Sequence, residues 1–341
     1  MATIVTSDSM SVPPDLSDEK AWQLALRTAV REPVQLCRML DLPTGWASAT
    51  AAEEFPLFAP RGYIARMRKG DPADPLLRQV LPLSDEEVSQ PGFTLDAVGD
   101  VESTVAPGLL QKYQGRALLV VSAACAVHCR YCFRRHFPYS DVPHSMNAWD
   151  ESLEQIREDA SIHEVLLSGG DPWMLVDHQL LELLKRLDTI GHLRRLRVHT
   201  RLPIMIPQRV TDELVDNLCN LRLTPIVVVH ANHVAELNDE VGNALARLID
   251  AGIPVLNQAV LLRGVNDNCQ SLVELCERLI DLRVIPYYLH QLDRVAGAAH
   301  FEVPVRVGLK IMDEVRSQLP GYAVPRYVQE IRGETHKRIL A

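Results

Sequence analysis

Residues 116–133 read Arg-Ala-Leu-Leu-Val-Val-Ser-Ala-Ala-Cys125-Ala-Val-His-Cys129-Arg-Tyr-Cys132-Phe133, and this stretch decides the fold. The apolar, partly β-branched run Ala117–Val121 reads as a short buried strand. It leads directly into three cysteines within eight residues. Thiolates this close suit a shared metal site, because sulfur is a soft ligand for iron–sulfur clusters and for zinc. A structural zinc site needs four ligands. Three cysteines on a CxxxCxxC spacing instead suggest a cubane with one iron left without a protein ligand, free to bind a substrate or cofactor. Zinc completed by a distant His or Cys, and plain core thiols, are the competing readings.

Further along the chain the strand signal repeats. Short apolar runs occur at Glu164–Leu167, Leu196–His199, Pro225–His230, Pro254–Leu261 and Ile285–Leu289. Helix candidates lie between them, near Trp149–Asp159, Gln179–Ile190, Thr211–Asn220, Asn238–Ala251 and Cys269–Leu282. Thr211, followed by Leu214, Val215 and Leu218, has the pattern of an N-cap and a buried face. Gly252 suits a helix C-cap. Six strands joined by helical crossovers predict a parallel α/β array. Six are too few for a closed eight-stranded barrel, so the expectation is a partial, open (βα)6 TIM-like barrel. A flavodoxin-like doubly wound sheet is the competing architecture.

Polar residues gather just after each predicted strand. They are the cysteines, then Ser168-Gly169-Gly170-Asp171, Thr200-Arg201, His230-Asn232-His233, Arg263-Gly264 and Gln291-Asp293. That end of the strands is where βα enzymes hold their chemistry. Upstream, short helices broken by Pro and Gly are expected at Ser17–Val30, Val34–Leu42 and Pro75–Val80, with residues 1–16 loosely ordered. The division predicted is a mostly helical region over 1–110, the barrel over 111–295, and a C-terminal segment over 296–341 that completes the site.

Composition narrows the class. The 341 residues are 47% hydrophobic, enough for a large core. A net charge of −9 gives no global electrostatic case for nucleic-acid binding. No apolar run approaches the ~20 residues that span a bilayer, and the first residues lack the pattern of a signal peptide. Seven cysteines, three of them clustered, do not resemble a disulfide framework. A reduced, cytoplasmic enzyme is the expected class.

The cysteine motif with Phe133 behind it resembles the signature of the radical S-adenosylmethionine (SAM) superfamily. Arg134-Arg135-His136-Phe137 is similar to the lysine 2,3-aminomutase branch of it. The resemblance continues in Leu167-Ser168-Gly169-Gly170-Asp171, in Asn257-Gln258 through Arg263 to Asp267, in Pro286-Tyr287-Tyr288 and in Gly321-Tyr322-Ala-Val-Pro325, so it covers about residues 105–337. Asp293-Arg-Val-Ala-Gly297-Ala-Ala-His-Phe301 and the short length resemble the bacterial branch that makes β-lysine for modifying elongation factor P.

The resemblance implies isomerisation of L-lysine to β-lysine, by 1,2-amino migration started by a 5′-deoxyadenosyl radical. It implies a [4Fe-4S] cluster on Cys125, Cys129 and Cys132. It implies SAM against Ser168, Gly169, Gly170, Asp171, His230 and Gln258. Pyridoxal 5′-phosphate (PLP) is implied on Lys337, with Lys112, Tyr113 and Arg116 toward its phosphate. From the residues alone Lys337 reads as a solvated tail lysine. Arg134 corresponds to the family's carboxylate-binding arginine, while Arg130 and Arg135 are open to a structural role. Asp293 corresponds to the residue facing the ε-ammonium, and Glu330 stands where the family has a second aspartate. The implied partners are L-lysine, an external electron donor such as flavodoxin or ferredoxin, and a functional link to elongation factor P and its lysyl-transferase. Neither nucleic acid nor membrane is expected, and a homo-oligomer is left open. The alternatives are an aminomutase for another amino acid, such as glutamate, or a non-catalytic iron–sulfur or zinc scaffold. Asp293 and Glu330 argue against an anionic substrate side chain. A scaffold would have no need of Arg134, Asp293 and Lys337 together.

Overall fold

The computed structural model describes residues 18–142 and 147–341. The expected loose segment 1–16 and the helix start at Ser17 lie outside the described residues.

Among the described residues one ten-stranded sheet runs with its strands side by side in chain order. Strands β1 (Thr104–Ala106) and β2 (Leu109–Leu110) form an antiparallel lead-in to β3 (Arg116–Ser122). Parallel pairing then continues through β4 (Glu164–Gly169), β5 (Arg195–Thr200), β6 (Thr224–Val229), β7 (Val255–Val260) and β8 (Ile285–His290) to β9 (Arg326–Gln329). A final short strand, β10 (Arg338–Ile339), returns antiparallel on β9. A doubly wound sheet would reverse its strand order; this one never does. Successive right-handed crossovers therefore fall on one face and the sheet curls. The outermost strands do not pair with each other, so the barrel is partial, as expected. All six expected parallel strands are present, and β9 adds a seventh.

Strand alternation separates two faces. In β7, Val255, Asn257 and Ala259 are buried, whereas Leu256, Gln258 and Val260 are half-buried. The first set packs outward against helices and the second lines the hollow. Helices form where the sequence supplies caps. The Thr211 hydroxyl accepts from the Leu214 amide at 3.1 Å and starts Asp212–Cys219. Asn238 and Asn268 do the same for Asp239–Asp250 and Cys269–Asp281. A further helix, Val305–Gln318, was not anticipated; it buries Gly308, Ile311, Met312 and Val315. A Cβ at Gly308 would lie 2.3 Å from the Tyr327 hydroxyl, so the glycine lets this helix lie flat on β9.

The N-terminal helices share one core with the barrel. Leu36, Leu57, Leu76 and Leu77 are at most 1% exposed. Burial of each such leucine stabilises by roughly 1.5–3 kcal/mol. The gap between the sheet's two ends is crossed by side chains. Tyr113, just before β3, donates to Glu330, just after β9, at 2.5 Å, and Arg332 pairs with Glu102. No helix among the described residues is long and apolar enough to cross a membrane.

Candidate active site

The cysteine loop follows β3 and is pinned from the N-terminal region. The His128 amide donates to the Phe58 carbonyl at 3.0 Å, and the Arg130 amide to Gln79 at 2.9 Å. Arg130 is fully buried and forks onto Glu86, with Nε at 2.8 Å from one oxygen and Nη2 at 2.6 Å from the other. Arg135 reaches the same carboxylate at 3.0 Å, and both guanidiniums stack on Phe55. Arg130 and Arg135 are therefore structural anchors. Removing one partner of such a buried pair costs about 3–5 kcal/mol.

Cys125, Cys129 and Cys132 are free, and each is open in part to the hollow. Burial and the neighbouring sulfurs push the Cys125 thiol well up and raise Cys132 to about 11. Thiolate at Cys125 and Cys132 is therefore disfavoured without a cation; an iron cluster would supply that positive charge, and the soft donor set fits one. Among the described residues no three His, Cys, Asp or Glu side chains converge as ligands of a single metal ion.

The next loop nests against this one. Gly170 donates to the Ser122 carbonyl at 2.6 Å, and Asp171 to Ala124 at 2.8 Å. A Cβ on Gly170 would stand 2.3 Å from the Ala124 oxygen; Gly169 sits at φ +125°. These glycines let two backbones touch immediately before Cys125. Asp171 turns inward: its carboxylate accepts from the Trp173 amide at 3.0 Å, the Thr200 hydroxyl at 2.7 Å and the Arg201 amide at 2.7 Å. It thereby fixes Arg201, whose Nη1 lies 2.7 Å from the Cys129 sulfur and whose Nη2 is held by Gln79 and Glu236. His230 sits 3.1 Å from the Tyr131 hydroxyl. Burial and Arg201 lower its imidazole to about 3, so it is neutral. Gln258 lines the hollow from β7, and its side chain makes no hydrogen bond to another described residue.

A set of charges surrounds the C-terminal lysine. Lys337 is ion-paired with Glu330, which also accepts from Tyr113. Burial would raise the Glu330 carboxyl, but Lys337 and both hydrogen bonds outweigh it and hold it below its usual range. The Arg116 guanidinium lies 5.1 Å over the Tyr113 ring and has no carboxylate partner among the described residues. Arg134 is 6% exposed. It donates from Nε to Asp100 at 2.6 Å and from Nη1 to Ser168 at 2.9 Å, and it stacks on Phe133. Lys112 binds the other oxygen of Asp100 at 2.6 Å. The Asp293 carboxylate has no hydrogen-bond partner among the described residues. Burial pushes its carboxyl up to about 7; Lys337 pulls it down and Glu330 pushes it up.

Three residues that the sequence reading missed belong to this chamber. Asp100 joins Lys112 to Arg134 from a loop that carries no motif. His199 on β5 and His290 at the end of β8 each keep a buried Nε2 without a partner. Burial, together with Arg197 at His199 and Lys337 at both, holds the two imidazoles well below their ordinary range. Strand parity is the signal that finds His199: it lies two residues past Arg197, on the same face of β5.

The profile of the radical SAM superfamily matches residues 119–276. The L-lysine 2,3-aminomutase of Escherichia coli (strain K12) is 45% identical, with the alignment covering 100% of this chain and 98% of that protein. That of Haemophilus influenzae is 41% identical over 96% of this chain and 98% of its own. Among solved structures, Streptococcus suis SuiB bound to S-adenosylmethionine overlaps 64% of this chain and 51% of its own, with a TM-score of 0.46 and 14% identity. The chain belongs to the L-lysine 2,3-aminomutase family within the radical SAM superfamily.

Proposed function

We propose that this chain is a lysine 2,3-aminomutase, an isomerase that converts L-lysine to β-lysine with a [4Fe-4S] cluster, SAM and PLP. The observation that carries the reading is the joining of two sets of groups. Arg134 extends from the cysteine loop to Ser168 and Asp100, and Lys112 on that same Asp100 faces the chamber of Asp293, Glu330 and Lys337. When bound, the cluster and SAM supply a 5′-deoxyadenosyl radical, and PLP supplies covalent stabilisation of the migrating amino group.

The protein's own part is to bind, orient and exclude water. Cys125, Cys129 and Cys132 hold the cluster; Gly169, Gly170, Ser168, His230 and Gln258 border the SAM site, with Asp171 bracing that loop. Arg134 keeps three of its five N–H groups free for the substrate carboxylate. Asp293, whose carboxylate has no partner among the described residues, takes the ε-ammonium. Lys337 carries PLP through Nζ. Glu330, now paired with Lys337, would also stand beside the substrate's distal charge. Arg116, lacking a carboxylate, suits the phosphate dianion together with Lys112 and Tyr113. The β-lysine would serve the modification of elongation factor P through its lysyl-transferase, and flavodoxin or ferredoxin would supply the electron.

Borohydride reduction of the PLP-loaded protein followed by peptide mapping tests the assignment. The pyridoxyl mass is expected on Lys337; finding it on Lys310 or Lys112 would remove Lys337 from the site.

A further inference from the structure

We propose that Asp100 is a positioning residue that couples cofactor binding to substrate binding, by bracketing Lys112 and Arg134 on its two carboxylate oxygens. The proposal rests on the reading above, in which Lys112 faces the PLP phosphate and Arg134 the lysine carboxylate.

The bracket is built and dry. Asp100 is 3% exposed. Its Oδ1 lies 2.6 Å from Lys112 Nζ and its Oδ2 lies 2.6 Å from Arg134 Nε. Neither oxygen is shared, so each cation has its own acceptor. The backbone beneath is fixed as well. Asp96 accepts from the Asp100 amide at 3.0 Å and from the Val101 amide at 3.2 Å, and the Thr104 hydroxyl donates to the Asp100 carbonyl at 3.1 Å. Burial would raise the Asp100 carboxyl; Arg134 and Lys112 outweigh it and hold the group ionised.

Each cation is left only partly used. Lys112 spends a second donor on the Val98 carbonyl at 2.8 Å and keeps a third. Arg134 is held through Nε and Nη1 at two points and by stacking on Phe133, so its plane and rotation are set while its outer N–H groups stay open. Without the shared anion, the buried guanidinium and the half-buried ammonium repel and each side chain loses its fixed direction. A ligand drawn to one cation must then order it afresh, at a cost in binding. With the anion, a phosphate that settles Lys112 settles Asp100, and so Arg134.

The test uses the reconstituted full chain. PLP affinity is read by absorbance titration, lysine KM and kcat by β-lysine formation, and fold by melting temperature and iron content. Asp100→Asn is expected to weaken PLP and raise lysine KM, each by about tenfold, with kcat moved less and iron content unchanged. Asp100→Glu, which keeps the charge, is expected to recover part of both. The coupling is read from Lys112→Met. In the parent it should raise lysine KM as well as weaken PLP, and in an Asp100→Asn background its effect on lysine KM should vanish. Parent-like PLP affinity and lysine KM in Asp100→Asn would overturn the bracket. So would a Lys112→Met effect confined to PLP, a result available even if Asp100→Asn does not fold. If Arg134→Met and Lys112→Met also left both constants unchanged, the underlying site reading would fall too; impairment in those two alone would leave that reading standing and remove only the bracket.

Discussion

The cysteine loop and the chamber around Lys337 are finished to different degrees. In the loop the charged groups pair within the protein, although Nε of Arg135 and of Arg201 stays unpartnered: Arg130 and Arg135 on Glu86, Arg201 on Gln79 and Glu236, Asp171 on two amides and a hydroxyl. In the chamber the Asp293 carboxylate has no hydrogen bond among the described residues, and His199 and His290 keep buried nitrogens unpartnered. Leaving a buried polar atom unpaired costs about 1–3 kcal/mol. Such a cost persists where a ligand removes it. Folding therefore pairs the charged groups around the cysteine loop with one another, and leaves the chamber's Asp293 carboxylate and two histidines for a ligand to complete.

Substitution of Cys125, Cys129 or Cys132 by Ala breaks this contrast most severely. Cluster iron and deoxyadenosine formation should be lost entirely, while borohydride still traps PLP on Lys337, because the two halves are filled separately. A variant with parent iron content would take that cysteine out of the site. Gly170→Ala comes next. Its Cβ has no room beside Ala124, so the junction leading into Cys125 must shift. Displacements of an ångström cost about a hundredfold in rate, and deoxyadenosine release should fall by about that factor with lysine affinity little changed. Parent-like release would show the junction to be slack.

Asp293→Asn acts on the other half and more gently. Lost charge-assisted contacts of about 1.5–3 kcal/mol predict a ten- to hundredfold lower kcat/KM for lysine. Deoxyadenosine release without product should continue. The pH dependence has a definite sign. Asp293 is raised to about 7, so it is neutral below that pH and charged above it. Only the carboxylate attracts an ammonium, so lysine KM in the parent should fall as pH rises through about 7. Steady-state profiles would show that limb missing from the Asn variant; an unchanged limb would assign it to another group.

The sequence disclosed the barrel because its strands are runs of β-branched and apolar residues with polar residues at one end. It hid β9, whose four residues Arg-Tyr-Val-Gln make no apolar run and become a strand only by pairing with β8. It hid the helix Val305–Gln318 less well: Gly308, Ile311, Met312 and Val315 form a legible stripe. The cysteines and Gly169-Gly170 stand out in the sequence by residue type and spacing. The glycines' closest approach is nevertheless to the cysteine loop's own backbone, a long-range fact that no spacing reports. Asp100 was unreadable, since a single aspartate in an irregular loop gains meaning only from the two distant cations folded onto it.

Joining the two halves in one reaction is the central claim, and product analysis tests it most directly. The anaerobically reconstituted chain, given PLP, SAM, dithionite and L-lysine, should form β-lysine, and omission of any one of the three additions should abolish it. Steady deoxyadenosine release with no β-lysine, from a protein carrying both its cluster and PLP on Lys337, would contradict the account.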